Sequence, residues 1–450
     1  MKQNGASDFL KPWISCLGSN TAAAQEGRRA HFGNWPGPNP LIQVIPSAAV
    51  KGFLITGSVI VLEVATALAL VPLTDRARVQ STDFVNFYVA ASIVRNGDGV
   101  KLYQQETQDA GYQSLLQRRS NQYFLHPAFE AAVLAPLTVL GLERAFILWT
   151  LINIALFGFL PLLLMSSIPL LDAKPFAGML GFCLLPTLTA ITLGQDSILL
   201  LLLISSSYIF LHKKADGAAG LVLSLATIKF QYVVILFPLL LLSRRWRVAT
   251  GFALGCVCLM FVSSLITGWH GLQDYFNFVR AFDAHSGYGG LNPALMTNAR
   301  GFFAGMGWVR PGSSAYWPIE IILIGMGVVA AWTCRTRQND GLMFALLLTI
   351  ALAAAPYSHF PDLTVVFLPI LLVLDHLRSM GIQTAPRKLL LLCCLALFVW
   401  PFVLLLFGGH YWWNSRIYLM FPLLVLFILA LFAEVRLAKS TAPMAAVAAS

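Results

Sequence analysis

The stretch AAGLVLSLATIKFQYVVILFPLLLLS, residues 218–243, decides the fold class, because this long apolar run contains a single charged side chain, Lys229. About 20 apolar residues in a helix are enough to cross the hydrocarbon core of a bilayer. Similar runs recur from residue 52 to residue 435. Backbone polar groups must be paired inside lipid, and these runs lack the alternating pattern of barrel strands. The sequence therefore predicts an all-α polytopic membrane protein.

The composition agrees with a chain that lies mostly in lipid. Of its 450 residues, 58% are hydrophobic and 11% are charged, whereas soluble domains carry about 25% charged residues. The formal net charge of +10 is explained by basic residues that flank membrane helices on the cytoplasmic side. Because no basic face on a soluble domain is visible, nucleic acid is not an expected partner. The seven cysteines lack metal-ligand spacing and are expected to behave as small hydrophobic residues.

Basic clusters predict the orientation of the chain. We expect residues 1–50 to form a flexible cytoplasmic tail, residues 51–436 a single transmembrane domain, and residues 437–450 a cytoplasmic C-terminal tail. About ten full spans are expected, at residues 52–73, 144–165, 176–193, 197–212, 248–268, 318–334, 340–356, 363–377, 389–407 and 416–435. Both termini then lie in the cytoplasm, and the membrane is expected to be the bacterial inner membrane.

The opening stretch is predicted to differ from these spans. Lys213-Lys214 precede it and Arg244-Arg245 follow it, so both of its ends are expected in the cytoplasm. Two short helices that enter and leave the membrane, with a turn near Lys229, satisfy this requirement. With this re-entrant hairpin, the chain would contain about 12 membrane helices.

The same topology places three polar segments on the periplasmic side, at residues 74–142, 269–317 and 356–362. The first of them is expected to contain short amphipathic helices, and Asp83 opens one of these. Ionisable residues at a membrane boundary are costly and usually functional. A carboxylate at a helix N-terminus is stabilised in its ionised form, and an ionised carboxylate can act as a general base. A plain helix cap is the structural alternative for Asp83.

Two further residues are candidates for contact with an anionic group. Lys229 could pair with a lipid phosphate, because an ammonium is a compact point charge, or it could extend toward the membrane surface as a purely structural lysine. His359 could bind phosphate when protonated or donate a hydrogen bond when neutral, or serve as an ordinary loop histidine. Polar residues in the other loops could bind hydroxyls or phosphate, with a structural role as the alternative. They are Gln195, Asn292, Asn298 and Arg300.

Several motifs, taken in order, resemble glycosyltransferase family 87. Asp83 is followed by Tyr88, Ala91, Gly97 and Tyr103, as in the first external loop of that family. The other matching segments are HPAFEAAVLAPLTVLGLERAFILWTLIN at 126–153, GQDSILLLLL at 194–203, IKFQ at 228–231, NPALMTNARGFF at 292–303 and AAPYSHFPDL at 354–363. The similarity extends from about residue 50 to about residue 380.

The resemblance implies a GT-C-like fold and an inverting sugar transfer on the outer face of the inner membrane. The donor would be a polyprenyl-phosphate sugar carrying a mannose-like hexose or arabinofuranose, and the acceptor a hydroxyl of an envelope glycolipid or polysaccharide. Asp83 is implied as the catalytic base. The implied donor-phosphate ligands are Lys229, His359 and Arg300, and the implied sugar- or acceptor-binding residues are Tyr88, Gln195, Asn292, Asn298 and His126.

The expected partners are therefore the lipid-linked donor, the acceptor and membrane lipid, and the protein is expected to be a monomer. No cofactor is expected. Polyprenyl phosphate is already an activated leaving group, so the reaction requires no metal. No cluster of carboxylates that could hold a metal is visible in the sequence.

Other classes of function stay open at this point. A lipid or small-anion transporter would use the same cavity but would need access from both sides of the membrane. A ligase for lipid-linked glycans would favour arginines and a histidine in an external loop, and the second loop contains Arg280, His285, Arg300 and Arg310. A membrane scaffold without catalytic activity is a further alternative.

Overall fold

The computed structural model describes residues 75–117, 122–242, 246–284, 292–308, 314–333, 340–408 and 416–447. All regular elements within these ranges are helices, and an isolated β-bridge joins Met296 to His359. The described residues do not include the predicted N-terminal tail or the predicted span at 52–73. They also leave out parts of the predicted polar segments 74–142 and 269–317 and of the C-terminal tail. The expectation of an all-α membrane protein is confirmed for the residues described.

Eighteen α-helices follow one another along these residues. Their bounds are α1 Arg76–Val79, α2 Phe84–Arg95, α3 Gln105–Leu116, α4 Ala128–Leu134, α5 Leu142–Leu164, α6 Pro169–Ala173, α7 Leu185–Leu193, α8 Ser197–His212, α9 Asp216–Leu225, α10 Phe230–Leu242, α11 Trp246–Thr267, α12 Gly271–Ala284, α13 Ala299–Gly305, α14 Trp317–Thr333, α15 Asp340–Ala354, α16 Phe367–Met380, α17 Ala385–Gly408 and α18 Met420–Val447. Short 3-10 helices occur at Gly99–Lys101, Ala135–Val139, Pro175–Cys183, Ala226–Lys229, Pro293–Leu295, Phe360–Val366 and Ile417–Leu419.

Six helical segments in the described part of the chain are long and apolar enough to cross a membrane. They are Leu142–Leu164, Asp216–Leu242, Trp246–Thr267, Phe360–Met380, Ala385–Leu406 and Ile417–Leu437. The chain is therefore a multi-pass membrane protein.

The expected ten full spans are confirmed only in part. The helices that match the predicted spans at 197–212, 318–334 and 340–356 are shorter, with 10–17 residues each. The predicted span at 176–193 is divided at Leu184 between a 3-10 helix and α7. Pro175 and Pro186 stand at the starts of these two pieces, where a missing backbone N–H costs no helical hydrogen bond.

The segment Asp216–Leu242 is helical throughout but is not straight. Gly220 in α9 packs so closely on α11 that a Cβ there would lie 2.7 Å from the backbone nitrogen of Phe252. Phe237 in α10 stacks on the ring of the same Phe252, with 4.0 Å between ring centroids. In a straight helix Gly220 and Phe237 would be about 25 Å apart, so the segment bends sharply at the 3-10 helix Ala226–Lys229. This bend supports the predicted turn near Lys229, whereas re-entry from one side of the membrane stays a prediction.

The apolar core has two parts. The larger part lies among the helices from α5 onward, and a second cluster lies beneath the segment that was predicted as the first external loop. Phe84 and Phe87 of α2 belong to the second cluster, and α12 contributes Tyr275 and Phe278 to it. Two polar segments that are far apart in sequence are thereby packed on each other, next to the residues predicted to form the site.

Candidate active site

A cavity of about 320 Å³ lies where the three predicted polar segments meet. Five of the predicted site residues line it: Asp83, His126, Gln195, Lys229 and His359. Further polar side chains in its wall are those of Ser81, Asn86, Gln122, Tyr123, Thr189, Gln231, Tyr357 and Asp362. The carboxylate, ammonium and imidazole groups that the sequence suggested as a site are therefore neighbours in one cavity.

Asp83 directly precedes α2, yet its side chain makes no capping hydrogen bond to the helix. Its Oδ2 instead accepts a hydrogen bond of 2.5 Å from Nε2 of Gln195. Burial raises the pKa of the Asp83 carboxyl, and the hydrogen bond from Gln195 and the charge of His359 offset only part of this rise. A plain helix cap does not describe these contacts, whereas a buried carboxylate with increased proton affinity has the properties of a general base.

Gln195 links Asp83 to Lys229, because its Oε1 accepts a hydrogen bond of 3.3 Å from Nζ of Lys229. The chain can place Gln195 there because Gly194, with φ +66°, ends α7 in the left-handed region. A Cβ on Gly194 would lie 2.8 Å from the Cβ of Phe84, so glycine also permits this close approach. The step Gly194-Gln195 thus holds the amide of Gln195 beside the carboxylate of Asp83.

Lys229 is buried, and its ammonium already has anionic partners. Its Nζ lies 2.8 Å from Oδ1 of Asp196 and also contacts Oδ1 of Asp362. Oγ of Ser197 accepts a further hydrogen bond of 3.1 Å from the same nitrogen. A buried charge is tolerated only when it is paired and hydrogen-bonded, and these contacts meet that requirement for Lys229.

Asp362 contacts both Lys229 and His359. Its Oδ2 accepts hydrogen bonds from the hydroxyl of Tyr232 at 2.8 Å and from the backbone nitrogen of His359 at 3.0 Å. The second contact belongs to a capping box at the start of the 3-10 helix Phe360–Val366. The orientation of His359 is therefore coupled to the ion pair between Asp362 and Lys229.

His359 presents a free ring nitrogen to the cavity. Its Nε2 is buried and has no hydrogen-bond partner among the described residues. Burial lowers the pKa of this imidazole, although the nearby carboxylate of Asp362 offsets part of the effect. A neutral imidazole can donate a hydrogen bond from one ring nitrogen, so His359 is suited to bind an oxygen atom that enters the cavity.

The loop before α13 braces the segment that carries His359. The backbone nitrogen of Thr297 donates a hydrogen bond of 2.7 Å to the carbonyl oxygen of Ser358. Nδ2 of Asn298 donates to the carbonyl oxygen of Ala355 at 2.5 Å. These contacts join two segments that come from different predicted loops, and they hold His359 against the cavity.

A sequence profile of glycosyltransferase family 87 matches residues 124–357 of this chain, which is more than half of its length. The chain belongs to glycosyltransferase family 87. The matched range includes Gln195 and Lys229, whereas Asp83 and His359 lie outside it. No curated protein matches this family 87 transferase.

The transferase also has some similarity to a solved structure, the crystal structure of ArnT from Cupriavidus metallidurans in the apo state. The sequence identity is 16%, the comparison covers 86% of this chain and 78% of that chain, and the TM-score is 0.34. A similarity at this score carries no argument about fold or mechanism, and the GT-C-like architecture stays a prediction for this family 87 member.

Four other predicted site residues of this family 87 transferase are not among those that line the cavity. The hydroxyl of Tyr88 donates to the carbonyl oxygen of Leu140 at 2.8 Å. Asn292 accepts from the backbone nitrogen of Ala294, and Asn298 accepts from that of Gly301. The guanidinium of Arg300 lies 5.5 Å from the ring centroid of Tyr357, which does line the cavity. Their roles in substrate binding stay predictions.

Sequence reasoning missed three acidic residues of the site in this transferase, Glu130, Asp196 and Asp362. The structure brings His126, Glu130 and Asp196 together, with one potential ligand atom of each within 4.8 Å of the others. His126 and Glu130 are four positions apart, but Asp196 comes from another segment of the chain, so no spacing motif includes all three. The scarcity of acidic residues, 20 in 450, was the available signal, since acids close to membrane helices are costly.

Glu130 and His126 form a buried pair, with 2.8 Å between Oε2 and Nδ1. Burial raises the pKa of Glu130, and its attraction to His126 offsets only part of the rise. For His126, burial lowers the pKa, but the carboxylates of Glu130 and Asp196 raise it by more.

Proposed function

We propose that this glycosyltransferase moves a sugar from a polyprenyl-phosphate donor to a hydroxyl of an envelope glycolipid or polysaccharide, with inversion at the anomeric carbon. The proposal rests on one observation above all. A partly buried carboxylate held by an amide, Asp83, and an imidazole with a buried nitrogen that has no hydrogen-bond partner among the described residues, His359, line the same cavity beside membrane helices. The donor class, the outer-leaflet location and the sugar, mannose-like or arabinofuranose, are parts of the proposal.

The first step assigns the proton. Asp83 accepts the proton of the acceptor hydroxyl while the acceptor oxygen forms a bond to the anomeric carbon. The bond between that carbon and the phosphate oxygen breaks on the opposite face, and the polyprenyl phosphate leaves with the bonding electrons. Gln195 fixes the carboxylate during this step, since its Nε2 donates to Oδ2 of Asp83. A positioned general base contributes about 10²–10⁴-fold to the rate.

The second assignment concerns the phosphate, which gains negative charge as it leaves. We assign a direct hydrogen bond to Nε2 of His359, because this nitrogen is buried at the cavity and has no partner among the described residues. Donors that are already oriented before the reaction stabilise developing charge most effectively. Arg300 would add positive potential from behind Tyr357.

Lys229 receives a supporting role in this proposal. Its ammonium pairs with Asp196 and Asp362, so it has less capacity for a direct phosphate contact than its type suggests. Lys229 instead donates a hydrogen bond to Gln195, which holds Asp83. It also contacts Asp362, which holds the backbone of His359. Lys229 thus positions the base through Gln195 and the imidazole through Asp362.

Transfer can be measured with the purified chain in liposomes. Polyprenyl-phosphate mannose and polyprenyl-phosphate arabinofuranose are offered separately with glycolipid and oligosaccharide acceptors, and the anomeric configuration of the product is read by NMR. We expect transfer from one of these donors, with inversion. Transfer from an undecaprenyl-diphosphate glycan alone would favour a ligase. Movement of labelled donor between leaflets without any glycoside product would favour a transporter.

A further inference from the structure

We infer that His126, Glu130 and Asp196 form a binding site for one divalent transition-metal ion, Zn²⁺ or Mn²⁺, in the wall of the cavity. The inference concerns binding of the ion and does not depend on the proposed transfer reaction. It starts from side chains that the chain brings together from the segment before α4, from α4 itself and from the start of α8.

The distances suit a metal ion. Nδ1 of His126 lies 2.8 Å from Oε2 of Glu130 and 3.5 Å from Oδ2 of Asp196. All three ligand atoms lie within 4.8 Å of one another. Two ligands of a tetrahedral zinc with bonds of about 2.0–2.2 Å lie about 3.3–3.6 Å apart, so an ion would replace the hydrogen bond between Nδ1 and Oε2 and separate these atoms by less than about 1 Å. Side-chain rotations of this size leave the backbone in place.

A second observation points to a missing cation. Asp196 is fully buried, and its Oδ2 accepts no hydrogen bond from the described residues. Only its Oδ1 is close to a permanent cation, Nζ of Lys229 at 2.8 Å. A buried carboxylate oxygen without a hydrogen bond is costly, and the side-chain nitrogen that faces this oxygen is Nδ1 of His126 at 3.5 Å. A metal ion between the two groups would satisfy this oxygen and leave the ion pair with Lys229 intact.

The ligand types limit the choice of ion. One imidazole nitrogen and two carboxylate oxygens suit zinc or manganese, whereas calcium and magnesium prefer all-oxygen sites. Because His126 lines the cavity, an ion at this site would adjoin the open volume and could keep one coordination position for a further ligand. Water would occupy that position, or an oxygen of a bound substrate.

The test measures metal binding to the full chain in detergent. The protein is stripped with a chelator, and binding of ZnCl₂ and MnCl₂ is followed by calorimetry, with metal content determined after gel filtration. We expect one equivalent of Zn²⁺ or Mn²⁺ per wild-type chain, and an increase of Tm on metal addition because the ion binds the folded state. The inference is overturned when the wild-type chain binds neither ion. It is also overturned when the chain binds more than one equivalent and its Tm does not change.

Three variants locate the site. Glu130→Gln and His126→Gln each remove one ligand and should weaken binding at least about 10-fold. Asp83→Asn changes another carboxylate of the same cavity and should still bind one equivalent, even when it has lost sugar transfer. Equal affinity in wild type and both ligand variants refutes the site. Asp196→Asn is avoided, since it would also break the ion pair with Lys229.

Discussion

Replacement of Asp83 by asparagine removes the proposed proton acceptor but keeps the hydrogen bond that positions this side chain. An asparagine has nearly the same shape, and its side-chain oxygen can still accept the hydrogen bond from Nε2 of Gln195, which is 2.5 Å long in the wild type. The amide cannot take a proton from the acceptor hydroxyl. We therefore expect Asp83→Asn to lower kcat by about 10²–10⁴-fold, or about 3–5 kcal/mol in the barrier, with little change in KM for the donor.

The pH dependence supplies a second readout for the same variant. Because burial raises the pKa of Asp83, the wild-type rate should fall with decreasing pH at values above the ordinary range of an aspartate. This acid limb should disappear in the residual activity of Asp83→Asn. The measurement is initial sugar transfer in liposomes between pH 4.5 and 9, with radiolabelled donor at saturating concentration.

Stability should change in the opposite direction from activity. A carboxyl whose pKa is raised in the folded protein destabilises the folded state progressively as the pH rises through the folded-state pKa. The neutral amide removes this cost, so Asp83→Asn should have a higher Tm than wild type at pH 7 and about the same Tm at pH 4. Asp98→Asn, an acid-to-amide change on an exposed residue that pairs with Lys101, is the matched control and should alter neither quantity. A folded Asp83→Asn protein with wild-type kcat and an unchanged acid limb would refute the assignment of the base.

Gln195→Leu removes a hydrogen bond that lowers the pKa of Asp83, so the acid limb of the rate profile should move to higher pH. An acid limb at the wild-type pH would contradict the hydrogen bond between Gln195 and Asp83. His359→Ala should reduce kcat by at least about 10-fold, whereas His359→Gln keeps a donor and should retain more activity; equal losses would argue against a hydrogen bond to the leaving group. Tyr232→Phe deletes the 2.8 Å hydrogen bond to Asp362 and should lower the free energy of unfolding by about 1–3 kcal/mol, measured by thermal or chemical denaturation; an unchanged value would mean that water replaces the hydroxyl.

Much of the fold could be predicted from the sequence because lipid imposes strong constraints on composition. Apolar runs predicted the membrane helices, and the basic residues around 218–243 predicted a turn near Lys229, where the structure has its bend. Helix lengths were harder to predict. The break at Leu184 depends on local proline positions within an apolar run, which a hydropathy pattern does not register.

The site was predictable where a polar residue stood inside an apolar run or close to its end. Asp83, Gln195, Lys229 and His359 were found in this way, and they line one cavity. Their partners were not predictable, because a contact such as Lys229 with Asp362 joins residues 133 positions apart. Periodicity and spacing describe neighbours along a helix, whereas these ion pairs depend on how distant helices pack.

The separation between Lys229 and its two carboxylates has a consequence for biogenesis. Asp196 and Lys229 are both translated well before Asp362, which follows α15. Until residue 362 has been synthesised, the ammonium of Lys229 therefore lacks the second of its two carboxylates. A chain that terminates before residue 362 would therefore contain most of the described helices but leave Lys229 with one of its two carboxylate partners missing.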